Sequence, residues 1–380
     1  MRPTLSLFRR AALIAVFTLA TSAHAQSPQR FPSSAGELTV ETVATGLVHP
    51  WGLAFLPDGR MLVTERPGRL RIVSADGRLS PALSGVPSVA ARQQGGLLDV
   101  VIAPDFAVSR LVYLSFAEAR AGGSGTSVAR GRLNAAGTAL EDVNIIFRQM
   151  PGFSGGLHFG SRLVFDRTGA LFVVLGDRYS LRDEAQNPAN HLGKVVRILA
   201  DGAAPKDNPA ATGKTGWAPE IWSIGHRNVQ GAALHPVTGQ LWTIEHGARG
   251  GDEINTPRAG LNYGWPVITY GIDYSGLKIG EATAKPGMEQ PVFYWDPSIA
   301  PSGAAFYTAS AFPGWQGSLF TGALAGQMLV RLTLDGEKVT GEERLLTTMG
   351  ARIRDVRQGP DGWLYLLSDA AEGQVLRVRK

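Results

Sequence analysis

The chain has 380 residues, 47 of them glycine, and no cysteine, which excludes disulfide staples and lipid attachment through a mature N-terminal cysteine. The formal net charge of +5 owes much to three arginines near the N-terminus. Without them basic and acidic residues nearly balance, and no basic run remains to support nucleic-acid binding.

Residues 1–25 read as a cleaved export signal. Arg2, Arg9 and Arg10 form a positive start, Ala11 to Ala20 is an uncharged apolar run, and Ala23-His24-Ala25 is a small-x-small cleavage site. The apolar run is too short to span a bilayer, and no later stretch is a transmembrane candidate. Cleavage before Gln26 and a periplasmic or secreted location are therefore expected. Residues 26–36 read as a short N-terminal segment and residues 37–380 as one catalytic domain.

From there an apolar strand, a turn rich in Pro, Asp and Gly, and a second apolar strand recur along the chain. The unit reads Leu53-Ala-Phe-Leu-Pro-Asp-Gly-Arg-Met-Leu-Val63, then Val101-Ile-Ala-Pro-Asp-Phe106 leading to Leu111-Val-Tyr-Leu114. It returns at Leu163 to Val174, at Ala232 to Thr243, in a diverged copy at Ala304 to Phe320, and at Val356 to Leu366. Each fits a hairpin, because glycine supplies the positive φ of a tight turn and β-branched or aromatic flanks suit buried strands. Six such units, each with room for four strands, predict an all-β, six-bladed β-propeller with four-stranded antiparallel blades around a central channel. Glu37 to Val43 is placed to add an outer strand to the blade containing Gln374 to Val378, closing the ring. A pair of β-sandwiches is the structural alternative.

Residues of catalytic type gather in the loops beside these hairpins: Gln93-Gln94-Gly95-Gly96, His158 to Arg162, Gly225 to Asn228, Glu245 to Glu253, and Arg352-Ile-Arg354. Propeller loops on one face converge on the channel, so these groups can share a pocket. Each also has a bland reading: a hydrogen-bonded structural His, a solvated Arg face, a turn with satisfied polar groups. Gly152-Phe-Ser-Gly-Gly156 matches G-x-S-x-G but lacks the following helix that a nucleophile elbow needs. There is no H-E-x-x-H, P-loop or Rossmann fingerprint.

Gln94-Gly-Gly-Leu-Leu-Asp-Val100, Ala103-Pro-Asp-Phe106, His158 with Gly160-Ser-Arg-Leu163, and Gly225-His-Arg-Asn-Val-Gln-Gly231 together resemble the soluble PQQ-dependent glucose dehydrogenase and aldose sugar dehydrogenase family. Gly251-Asp-Glu-Ile-Asn255, Asn262-Tyr-Gly-Trp-Pro266, Ala300-Pro-Ser302 and Arg352-Ile-Arg-Asp-Val356 extend the resemblance over residues 45 to 375. It implies oxidation of an aldose at C1 to the lactone, with pyrroloquinoline quinone (PQQ) and calcium as cofactors and an external electron acceptor. His158 is then the general base, Asp177 orients its imidazole, and Arg227 and Asn228 face the reacting quinone oxygen. Arg352 and Arg354 bind cofactor carboxylates, with Gln94 and Tyr274 as further contacts. Carbonyls of Gly247 and Ala248 hold the calcium that grips PQQ, and a second calcium uses Glu253 and the Tyr263 carbonyl. Asp252 is expected to support the arginine cluster by charge pairing. Apart from Asp355, which should point away, nothing in the local sequence offsets the repulsion within the arginine pair.

Two departures stand out. The glucose dehydrogenases have a cofactor-binding lysine in the loop after the fifth repeat, where this chain reads Ala323-Leu-Ala-Gly-Gln327. The short loops favour the aldose sugar dehydrogenase branch, with a more open pocket and a monomer or weak homodimer. The rival readings are a calcium-dependent sugar-lactone hydrolase on a similar propeller, and a non-catalytic binding propeller.

Overall fold

The computed structural model describes residues 28–380, so the expected export signal lies outside the described residues. Six antiparallel sheets are arranged in a ring, each begun by an inner strand that packs against the inner strands of its neighbours. The inner strands are Pro50–Phe55, Leu97–Ile102, Gly160–Phe165, Val229–Leu234, Pro301–Phe306 and Ile353–Gln358. All six expected repeats form the hairpin that follows an inner strand, with Gly59, Gly169, Gly239 and Gly362 turning at positive φ. The architecture is the expected six-bladed propeller.

The second to fifth blades have four strands. The first has three, Pro50–Phe55, Met61–Glu65 and Arg69–Val73, extended by a single bridge from Val73 to Leu79. The sixth has five, because Leu38–Leu47 pairs with Gly373–Arg379 and carries Gln29–Phe31 on its outer edge. Thus the chain's start closes the sheet made by its end, and Arg377 donates to Glu41 across the seam at 2.8 Å.

The core is divided among the blades. Six large hydrophobic clusters lie one between each neighbouring pair, such as Leu62, Leu70, Val100 and Leu114 between the first and second blades. Each blade is apolar on both faces, so its strands read as nearly continuous apolar runs.

A finer repeat sits inside the ring. In every inner strand the pairing register slips at its second or third residue, the local irregularity that re-aims side chains. The third residues are Gly52, Asp99, Arg162, Gly231, Gly303 and Asp355. A Cβ on Gly52 would sit 2.6 Å from Asp99 Oδ1, and one on Gly303 would sit 2.8 Å from Asp355 Oδ1. Glycine therefore makes room for the carboxylates. Asp99 and Asp355 pair with Arg162 at 3.1 and 3.2 Å and with Arg357 at 3.2 and 3.0 Å. This buried, charge-balanced cluster plugs the channel and ties the second, third and sixth blades together.

Candidate functional site

Above the plug, the second residues of four inner strands, Trp51, Leu98, Gln230 and Arg354, help line a cavity of about 270 Å³. Gln94, Asn228 and Arg352 join them, so four of the sequence-predicted cofactor residues share one wall. Arg354 is 8% exposed and donates to Gln230 Oε1 at 3.0 Å. Its charge and that of Arg352 converge on Asp369, at 3.0 and 3.3 Å. Asp369, which comes from the end of the next strand, relieves the repulsion between the two arginines. This corrects the expectation that local sequence leaves the pair uncompensated. Burial raises the Asp369 carboxyl's pKa, but the two guanidinium groups and His49 more than reverse that and hold it far below the usual carboxylate range. Asp355 does point away from the pair, into the channel plug.

A second cavity, of about 380 Å³, is lined by His158, Tyr179, Arg227, Ala248, Trp265, Asp273 and Tyr274. His158 Nδ1 lies 2.7 Å from Asp177 Oδ1, and Trp265 Nε1 donates to the other carboxylate oxygen at 2.8 Å. With Nδ1–H donated to Asp177, Nε2 is the nitrogen left to act as acceptor. Burial lowers the imidazole pKa, the Asp177 hydrogen bond opposes this, and Arg227 lowers it further. The ring is thus held neutral near pH 7, as a base requires. Burial alone would raise the Asp177 carboxyl, but the His158 bond and Arg227 keep it below its usual range. Gln94 of the first cavity accepts the His158 backbone N–H at 2.9 Å, and the neighbours Arg227 and Asn228 line the second and first cavities respectively, so the two cavities adjoin.

Arg178 holds the same loop from below. Its guanidinium donates to the carbonyls of Leu157 (2.9 Å), Ser124 (2.8 Å) and Gly155, and stacks 3.8 Å above the Phe159 ring. Burial, and then the charge of Arg120, lower its pKa to about 10 against the opposing charge of Asp177. Sequence reasoning missed Arg178, Trp265, Trp51 and Asp369. Trp265 lay within a recognised motif, whereas Asp369 sits in a segment with no signal of its own.

The expected metal residues are less gathered. Gly247 and Glu253 line a small cavity of about 10 Å³ with Arg227, Glu245 and Thr269. Glu253 is pushed up to about 8 by burial and then by Glu245, so it sits where a cation would be favoured. The Gly247 carbonyl, however, accepts from Arg227 Nη1, and a metal there would have to displace that contact. Ala248 faces the second cavity instead. Tyr263 is buried apart, stacked on His226 with its hydroxyl donating to the Thr256 carbonyl at 2.6 Å. Among the described residues no three His, Asp or Glu side chains converge as metal ligands. Asp252 also departs from expectation. Among the described residues it pairs with no arginine, and instead accepts from Gly247, Ile299 and Ala300 N–H groups and Ser298. It pins the Gly247 loop to the fifth blade. Tyr274, expected against the cofactor, stands 60% exposed at the second cavity rather than in the arginine-lined one.

One arrangement imitates a catalytic triad. Ser223 Oγ lies 2.8 Å from His226 Nε2, and His226 Nδ1 lies 3.0 Å from Glu245. Ser223 and His226 are both fully buried, so this is a structural chain of hydrogen bonds.

Known proteins place this geometry. Residues 47–377 match the family described as glucose/sorbosone dehydrogenase. The chain is 51% identical over 345 residues to the aldose sugar dehydrogenase YliI of Escherichia coli, covering 90% of this chain and 92% of that protein. The crystal structure of the soluble aldose sugar dehydrogenase from Escherichia coli in its apo form superposes with a TM-score of 0.87 at 50% identity, covering 90% of this chain and 99% of that one. The PQQ-bound aldose sugar dehydrogenase from Streptomyces coelicolor gives 0.75 at 30% identity, covering 90% and 98%. The chain belongs to the glucose/sorbosone dehydrogenase family and is an oxidoreductase of that family.

Proposed function

We propose that the protein oxidises aldose sugars at C1 to the lactone with PQQ. The observation that carries this reading is the neutral His158 imidazole, held by the ionised Asp177 carboxylate and opening onto one polar cavity, beside another cavity walled by arginines. PQQ, when bound, supplies the acceptor for the hydride leaving C1, and an external acceptor then takes the electrons.

This chain's own residues supply the rest. His158 Nε2 removes the C1 hydroxyl proton, and Asp177 stabilises the imidazolium so formed. Trp265 fixes the carboxylate, and Arg178 fixes the backbone that carries the base. Arg227 and Asn228 stand between the two cavities, where a cation and an amide can stabilise developing negative charge. Arg352 and Arg354 hold carboxylates, for which planar guanidinium forks are suited. The donor set fits PQQ well and calcium in part: Glu253 favours a cation, whereas the Gly247 carbonyl must first release Arg227. Calcium binding with Gly247, Ala248, Glu253 and the Tyr263 carbonyl, and export to the periplasm, belong to the same proposal.

The test is a titration of PQQ into apo protein followed by calorimetry. Arg354→Ala should weaken binding by about 10- to 100-fold, the range for losing one charge-assisted bond. Equal affinities would place the cofactor elsewhere.

A further inference from the structure

The arginine-lined cavity contains a third arginine, Arg66, from the end of the first blade's second strand. Nothing in the sequence motifs singles it out. The loop before the second blade is built around it. Gln93, at φ 54°, turns its carbonyl to accept from Arg66 Nη1 at 2.6 Å. Leu97 N–H donates to the Arg66 carbonyl at 3.0 Å. A Cβ on Gly96 would fall 2.0 Å from the Arg66 carbonyl oxygen and 2.7 Å from its Cγ, so glycine lets the loop close against Arg66. The Gln93-Gln94-Gly95-Gly96 motif therefore does two things: Gln94 holds the His158 backbone, and its neighbours aim Arg66.

Charge gives the placement its meaning. Arg352 and Arg354 share Asp369, whereas Arg66 forms no ion pair among the described residues. Asp369 is the only acid in the cavity lining, against three arginines. The cavity thus carries about two uncompensated positive charges, which calls for a polyanion rather than a neutral sugar. Meanwhile the loop Ala323 to Gln327, where the glucose dehydrogenases have a lysine, contributes only Leu324 to this lining.

We propose that Arg66 is a cofactor-binding residue that receives a carboxylate of PQQ, supplying from the first blade the charge that the fifth-blade loop lacks. This rests on the reading that the cavity binds PQQ, which carries three carboxylates. The test is calorimetric titration of PQQ into apo wild type, Arg66→Gln, Arg66→Lys and Arg354→Ala. Arg66→Gln should bind about 10-fold or more weakly, with Arg66→Lys recovering part of the loss. Apo melting temperatures should stay close to wild type, because only one carbonyl contact is lost. If wild type binds PQQ and Arg354→Ala weakens it while Arg66→Gln is unchanged, the role of Arg66 is overturned and the cofactor reading stands. If wild type does not bind PQQ, the underlying reading fails. Should Arg66→Gln misfold, an Arg66→Lys affinity and salt dependence equal to wild type would count against the inference.

Discussion

At the scale of single residues, the account depends on one neutral histidine. His158→Ala should lower turnover by about 10²-fold or more while leaving PQQ affinity near wild type; steady-state kinetics beside a binding titration checks both. A histidine that merely stabilises its loop would instead lower the melting temperature with little specific kinetic loss. Because the imidazole pKa is held below its ordinary value, the acid limb of kcat/KM should fall below pH 6.5, with activity lost as pH drops and the base protonates. Asp177 opposes that shift, so in Asp177→Asn the limb should move to still lower pH while kcat falls. A limb above pH 7 in wild type would mean that another group is titrating. These residues were legible in the sequence because they stand in short motifs beside turns. Asp369 and Arg66 were not, since each acquires its role only from residues brought in by other strands.

At the scale of elements, the hairpins were legible because each turn needs a particular residue at a particular place. The slipped register at the start of every inner strand was not. Its third-residue series, Gly52, Asp99, Arg162, Gly231, Gly303 and Asp355, has no common chemistry until the ring brings the residues face to face. Arg357 and Asp99, 258 residues apart, meet only then. Removing one partner of such a cluster leaves a buried charge unmatched, so Asp99→Ala should lower folding stability by about 3–5 kcal/mol. Denaturant unfolding of apo protein checks this, and a loss under 1 kcal/mol would show the plug to be solvated. Asp252 teaches a similar lesson. Its carboxylate reads as support for the arginine cluster, but it accepts instead from the Gly247 N–H of its own loop and from the Ile299 and Ala300 N–H groups and the Ser298 hydroxyl of the fifth-blade loop.

At the scale of the whole molecule, closure joins the two ends of the described chain. Leu38–Leu47 covers the edge of Gly373–Arg379, so deleting residues through 47 should leave an open, aggregation-prone edge. Light scattering during thermal unfolding checks that, and a truncated chain that melts and scatters like the full one would contradict it. The six-fold repeat made this architecture legible, and the expected closing strand pairs as the sequence suggests. The cavity chemistry was legible only in part, because three cavities divide residues that a motif reading pools into one.

The central claim is that this propeller is a PQQ-dependent aldose oxidoreductase. It is tested most directly by following a redox dye by absorbance with apo protein, an aldose and calcium, with and without added PQQ. The account predicts dye reduction only when PQQ and aldose are both present, and its near-loss in His158→Ala. Equal rates with and without PQQ, or no turnover of any aldose by protein shown to bind PQQ, would contradict it.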